Sequence, residues 1–119
     1  MASLDLKEIF DKGNKFVSNS FIAFFLFSQE SSTTIIASKK IGNAVKRNRS
    51  KRRLRELLRV HIKPNTPPIK LILLARVNTS PLAFPALLKD CSNLINKINK
   101  SHEAFNIPPF QNIVHKQEP

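Results

Sequence analysis

The chain has few of the residues on which several common kinds of site depend. Cys91 is its one cysteine, which excludes an internal disulfide and a multi-cysteine metal site and fits a reducing compartment. Gly13 and Gly42 are its only glycines, so it lacks the glycine-rich loop that cradles nucleotide phosphates. This absence excludes nucleotide hydrolysis. We expect Cys91 to be buried on a helix face, with no redox role.

Long hydrophobic runs are also missing. The most apolar stretch, from Phe21 to Phe27, has seven residues, whereas a helix needs about 20 to span a bilayer. Residues 1–15 contain three acids and no long apolar segment, so they do not look like a secretion signal. Because 41% of the residues are apolar, the sequence is that of a globular protein, for which we predict a cytoplasmic location.

Acidic residues are scarce, and the positive charge that they leave uncompensated is concentrated in one region. The chain has 20 lysines and arginines against 8 acids, a formal charge of +12. Residues 39–59 hold ten of the basic residues and one acid, whereas residues 1–38 sum to −1 and residues 64–119 to +3. Such a local excess predicts a surface that binds a polyanion, and inside a cell the commonest polyanion is nucleic acid.

Hydrophobic spacing and the positions of proline and glycine predict the order of elements. We expect a helix over residues 4–12, β-structure over 15–28 and 33–38 paired as an antiparallel hairpin, a helix over 44–62, a strand over 69–77, and a helix that begins near Pro85. Together they form one domain over residues 1–100. The helical spacing of apolar residues is lost over residues 101–119, which are predicted to be a flexible tail.

The basic helix separates into two faces when about 100° is assigned to each residue. One arc collects Leu54, Leu57, Leu58 and His61 and is expected to face the sheet. Another stacks polar and basic side chains: Asn48, Arg52, Arg55 and Arg59. Only Glu56 offsets the cations, although a solvated helix usually mixes both signs at this spacing. The missing counter-charge indicates an external anion. We also expect the Arg47 guanidinium to reach over the sheet edge.

Alternation along the phenylalanine-rich strand places Phe21 and Phe25 on one face and Phe24 on the other. One face must pack on helices. The other, where uncovered, offers a groove for single-stranded RNA, which we expect to lie beside the basic helix.

The nineteen residues from Ser38 to Glu56 read SKKIGNAVKRNRSKRRLRE. This run closely resembles the signature of the bacterial ribonuclease P protein subunit, in which a strand ends in Ser-Lys-Lys and a Gly-x-Ala-Val turn leads into an Arg-Asn-Arg-x-Lys-Arg helix. The order of elements also agrees over roughly residues 4–100, whereas residues 101–119 carry no such likeness.

The resemblance implies an α+β fold: an α-β-β-β-α-β-α sandwich with a four-stranded mixed sheet and a left-handed βαβ crossover, like the second domain of ribosomal protein S5. It implies a subunit of the endonuclease that removes the 5′ leader of precursor tRNA. Catalysis would belong to the RNA subunit and its bound Mg²⁺, with no metal held by this chain. The implied partners are that catalytic RNA and precursor tRNA, with no membrane and no obligate protein partner.

The motif also implies which residues contact RNA. By position, the expected set for the catalytic RNA is Lys39, Lys40, Asn43, Arg47, Asn48, Arg49, Lys51, Arg52 and Arg55, to which the exposed position of Arg59 on the same face adds one more. Leu6, Phe10 and Phe24 resemble the lining of the cleft that grips the leader. The chain departs from the pattern in two places. No basic stretch precedes its first helix, and Leu6 stands where an aromatic residue is usual, so stacking there would be lost.

Two other classes of function compete with this interpretation. A protein-only nuclease would need clustered carboxylates or a histidine pair, and nothing in the sequence suggests that His61, His102 and His115 converge. A structural or ribosomal RNA-binding protein without a role in cleavage is compatible with the composition. Reconstitution with a catalytic RNA distinguishes it from a ribonuclease P subunit.

Overall fold

The computed structural model describes the backbone of residues 2–106 and the side chains of residues 6–104. Its main elements follow the predicted order: α1 (Ala2–Lys12), β1 (Asn14–Val17), β2 (Phe21–Phe27), β3 (Ser32–Ile36), α2 (Ala44–Glu56), β4 (Ile69–Ala75) and α3 (Phe84–Asn106). The α-β-β-β-α-β-α order and the four-stranded mixed sheet are therefore confirmed.

The sheet has the order β1-β2-β4-β3, with β4 antiparallel to β2 and parallel to β3. The predicted hairpin between residues 15–28 and 33–38 is wrong, because β4 lies between these segments. The hairpin instead joins β1 to β2, and its turn is closed by the Ser18 hydroxyl, which donates to the Phe21 carbonyl at 2.7 Å. A strand as apolar as β2 is suited to a central position, where both faces are covered and both edges are paired.

Alternation along β2 divides the molecule into three layers. Phe21 and Phe25 are buried on one face, in a core shared with Leu54 of α2 and Leu94 of α3. Phe24 points to the other face, where its ring meets that of Phe10 from α1. The sheet therefore lies between α1 on one side and the pair α2 and α3 on the other.

Gly13 fixes how closely α1 approaches the sheet. A Cβ atom at this position would lie 2.4 Å from the Ile9 carbonyl oxygen and 2.9 Å from that of Phe25. Both contacts are with backbone, which cannot move aside as a flexible side chain could. The absence of a side chain at Gly13 thus lets the end of α1 pack directly against β2 and places Phe10 over the sheet.

The chain continues from α2 into a π-helical segment, Leu57–Ile62, in which the Lys63 N–H donates to the Leu58 carbonyl five residues earlier. A π-helical turn contains more residues than an α-helical turn, so each residue is rotated by a smaller angle about the helix axis. As a result Ile62 is buried, with 1% of its surface exposed, while His61 is only half-buried. The prediction that His61 would face the core was based on uninterrupted α-helical geometry.

Helix α3 covers the core with the predicted spacing, and Cys91 is buried on it as expected. Burial raises the pKa of the Cys91 thiol to about 11. The helix continues to Asn106, beyond the predicted boundary at residue 100. The regularly spaced aliphatic residues of the helix end at Ile98. His102 continues the packed face, because the centre of its ring lies 5.1 Å from that of Phe27. The rest of the predicted tail, residues 107–119, lies outside the described residues.

Candidate nucleic-acid interface

A short 3₁₀ turn, Lys39–Ile41, connects β3 to the basic helix. Ile41 is buried and anchors the turn, whereas Lys39 and Lys40 are exposed. Gly42 follows with φ 137° and ψ −149°, a conformation open essentially to glycine alone. The turn therefore presents two ammonium groups at the start of α2.

Two of the predicted RNA-contacting residues also build the beginning of α2. The Asn43 side chain accepts a hydrogen bond from the Lys46 N–H at 2.9 Å and so caps the helix. The Arg47 Nη1 donates to the Gly42 carbonyl at 2.8 Å, so this side chain turns back toward the start of the helix. The hypothesis that it reaches over the sheet edge stays a prediction. Because a guanidinium carries five N–H donors, Arg47 keeps donors for a phosphate.

An open depression of about 600 Å³ lies on the first turns of α2. Its lining includes Asn48, Arg49 and Arg52, all exposed and all among the predicted contacts. Lys51, also predicted, is half-buried. A concave surface walled by guanidinium groups suits a phosphodiester backbone, which arginine can bind through two parallel hydrogen bonds.

Farther along, Arg52, Arg55 and Arg59 are exposed at spacings of three and four residues, as the helical geometry predicts. Within the described residues an ion pair joins Lys70 to Glu8 at 3.5 Å, but none involves a cation of α2. Apart from Glu56, the positive charge of this surface is therefore uncompensated within the described residues, which favours binding of an external polyanion.

Arg53 belongs to the same basic run but points inward. Its Nη1 donates to the carbonyls of Thr79, Ser80 and Leu82 at 3.0, 3.0 and 2.6 Å, and its guanidinium carbon lies 5.8 Å from the centre of the Phe84 ring. Arg53 thus fastens α2 to the loop that leads into α3. From the sequence, the Arg53 charge is expected to belong to the cationic surface, because nothing local distinguishes it from its neighbours.

A second candidate surface lies on the sheet face that carries α1. The Phe10 and Phe24 rings meet edge to face with centres 4.9 Å apart, and 40% of the Phe10 surface is exposed. Leu6 is half-buried one helical turn before Phe10. The structure thus places the predicted cleft residues on one side of the molecule.

Lys15 is a member of this surface that the sequence analysis missed. It pairs with Phe24 in the β1–β2 register, and its Nζ lies 5.7 Å from the centre of the Phe24 ring. A cation beside a partly exposed aromatic ring offers a phosphate contact and a base contact together. The register of the β1–β2 hairpin would have been needed to find it.

The two surfaces lie on opposite sides of the sheet. The basic helix packs through Leu54 and Leu57 on the face of Phe25, whereas Phe24 points the other way. A partly exposed aromatic surface is present, but its expected position beside the basic helix is wrong, because strand alternation puts Phe24 on the side away from α2. That this surface forms a groove for RNA stays a prediction.

Residues 6–104 hold no group of three or more histidine, cysteine or acidic side chains that could bind a metal ion. No helix in the described part of the chain is long and apolar enough to cross a membrane.

Comparison with known proteins gives consistent matches. A family model described as Ribonuclease P matches residues 2–99. The ribonuclease P protein component of Streptococcus pneumoniae (strain Hungary19A-6) is 28% identical over 104 residues, which cover 86% of this chain and 84% of that protein.

Solved structures show the same likeness. The ribonuclease P protein from Thermotoga maritima superposes with a TM-score of 0.70 at 25% identity, covering 82% of this chain and 94% of the other. The Staphylococcus aureus ribonuclease P protein gives a TM-score of 0.63 at 28% identity, covering 87% and 93%. The architecture described above is therefore that of these proteins.

Proposed function

Because this chain belongs to the ribonuclease P protein family, and is thus the protein subunit of a ribonuclease P, we propose that it holds two RNAs at once. The exposed cations of α2 and of the preceding turn bind the catalytic RNA, and the Phe10–Phe24 surface binds the 5′ leader of precursor tRNA. The observation that carries the proposal is that a cationic helix without an ion pair among the described residues and a partly exposed aromatic surface lie on opposite sides of one sheet.

The proposal assigns cleavage to the RNA subunit and to the Mg²⁺ that it binds with the substrate, as the family resemblance implies. The role of this chain is to bind and position. Its α2 surface offers phosphate ligands that carry no sequence information, which suits a structured RNA recognised through its backbone. The same proposal places the complex in the cytoplasm, where its substrate is made.

Reconstitution tests the assignment. We expect the RNA-free protein alone to leave precursor tRNA intact, and to stimulate cleavage when added to a bacterial ribonuclease P RNA at low Mg²⁺. Cleavage by the protein alone would make it the nuclease. Absence of stimulation with folded components would favour the structural RNA-binding alternative.

Arg49→Ala is expected to weaken binding to the catalytic RNA by about 1–3 kcal/mol, because a charge-assisted phosphate contact is lost. The Arg49 side chain is exposed and makes no hydrogen bond among the described residues, so the fold should be unaffected. Filter binding at fixed salt measures the effect. Lys89→Ala, which removes one exposed charge from α3, is the matched control. Equal affinity of the Arg49 and Lys89 variants would contradict the role of α2.

Phe24→Ala is expected to weaken binding of precursor tRNA to the reconstituted enzyme by about 1–3 kcal/mol, the range for one base stacked on an aromatic ring. Mature tRNA has no leader, so its binding should be unchanged. Phe24→Leu keeps most of the packing and removes the ring, which separates stacking from stability. Equal losses for both RNAs would show that Phe24 only supports the fold.

A further inference from the structure

A second cavity lies at the far end of the basic helix, between the beginnings of β3 and β4. It has a volume of about 250 Å³. Its apolar wall is made by Leu58, Ile62 and Ile69, of which the two isoleucines are buried. Cavities that hold drug-sized ligands span about 300–1,000 Å³, so this one suits a smaller group.

Hydroxyl groups surround the opening. Thr33 comes from β3, the edge strand, and pairs with Leu71, which also lines the cavity. The outer side of β3 pairs with no other strand among those described. Thr66 donates its hydroxyl proton to the Ile62 carbonyl at 2.8 Å and keeps lone pairs that can accept. An apolar slot with donors and acceptors at its rim is the environment in which proteins hold an unstacked nucleobase.

The basic stripe of α2 leads to this opening. Arg52, Arg55, Arg59 and Lys63 are all exposed and follow one another at spacings of three, four and four residues. Lys63 lines the cavity, and the π-helical turn joins its backbone to that of Leu58 in the cavity wall. A polyanion that follows the stripe therefore ends at the cavity, with a cation at its mouth.

We propose that the cavity takes one unstacked nucleobase of the RNA bound along α2, with the adjoining phosphate beside Lys63. The proposal rests on the proposed function and adds a contact to the base itself, beyond the phosphate contacts of α2. The base packs against Leu58 and Ile62, and its polar edge meets the hydroxyls of Thr33 and Thr66.

Filling the cavity provides the first test. Thr33→Phe places a ring in the slot and suits a strand, so we expect affinity for the catalytic RNA to fall about tenfold, as for one lost base contact. Thr34→Phe is the matched control. It makes the same change one residue along, where the side chain faces the opposite side of the sheet, and should leave this affinity unchanged. If Arg49→Ala weakens binding and Thr33→Phe does not, the cavity proposal is wrong and the proposed function stands. If neither variant changes binding, the proposed function itself fails.

Titration of the unaltered protein provides a second test, which does not depend on the folding of a variant. Adenosine or uridine monophosphate should shift the methyl NMR signals of Leu58, Ile62 and Ile69, and inorganic phosphate at equal ionic strength should not. Identical shifts with phosphate alone, or none with either nucleotide, would overturn the proposal. So would movement of these signals on deletion of residues 107–119 without nucleotide, since the chain itself would then occupy the cavity.

Discussion

Arg53→Ala is expected to lower the free energy of unfolding by about 2–4 kcal/mol. Hydrogen bonds from a charged donor contribute about 1.5–3 kcal/mol, and here one guanidinium nitrogen serves three carbonyls between Thr79 and Leu82 that the substitution leaves without it. The contact with Phe84 is lost as well. Urea denaturation followed by circular dichroism measures the change.

Arg52→Ala is the matched comparison, because it removes the same charge from the neighbouring position. Arg52 is exposed, so its loss should change stability by no more than about 0.5 kcal/mol while weakening RNA binding. Arg53→Ala should do the opposite: it should lower stability strongly and change RNA binding little. Should the two variants prove equally stable, Arg53 would not be the link between α2 and the loop before α3.

The affinity for the catalytic RNA is expected to fall roughly 10³-fold between about 50 and about 200 mM salt. Six of the predicted RNA contacts are exposed cations: Lys39, Lys40, Arg49, Arg52, Arg55 and Arg59. If each neutralises one phosphate, the slope of log affinity against log salt is about −4 to −5, at about 0.7–0.9 per phosphate. Fluorescence anisotropy with labelled RNA over a salt series gives this slope.

Single substitutions test the count of phosphates. Arg52→Ala should reduce the slope by just under one, and Lys89→Ala should leave it unchanged. A slope near zero, or one that no α2 substitution alters, would mean that affinity comes from contacts other than those with phosphates.

The sequence predicts the basic helix well because its determinants are local. Asn43 caps the helix from the adjacent position, and Pro64 and Pro67 bound its end. Strand alternation likewise assigns Phe21 and Phe24 to opposite faces without knowledge of the fold. The set of RNA-binding side chains stays a prediction, which rests on the sequence motif and on charge.

Contacts between distant segments are what local pattern does not encode. Nothing in residues 15–38 says that β4 will enter between β2 and β3, so the simplest hairpin was wrong. Arg53 shows the same limit on the scale of a side chain, since its partners lie 26 to 29 residues away. The π-helical turn buries Ile62 in place of His61. An assignment of faces that gives every residue the same rotation of about 100° does not predict such a turn.

The burial of Cys91 bears on how these contacts can be measured. A thiol with a pKa near 11 is almost wholly protonated at neutral pH, and the thiolate is the form that reacts with maleimides and disulfide reagents. A cysteine introduced at an exposed position, such as Arg59 or Lys15, would then be the one labelled site, with the native residue left in place. Fluorophores or cleavage reagents could thus be attached on either side of the sheet to map where each RNA runs.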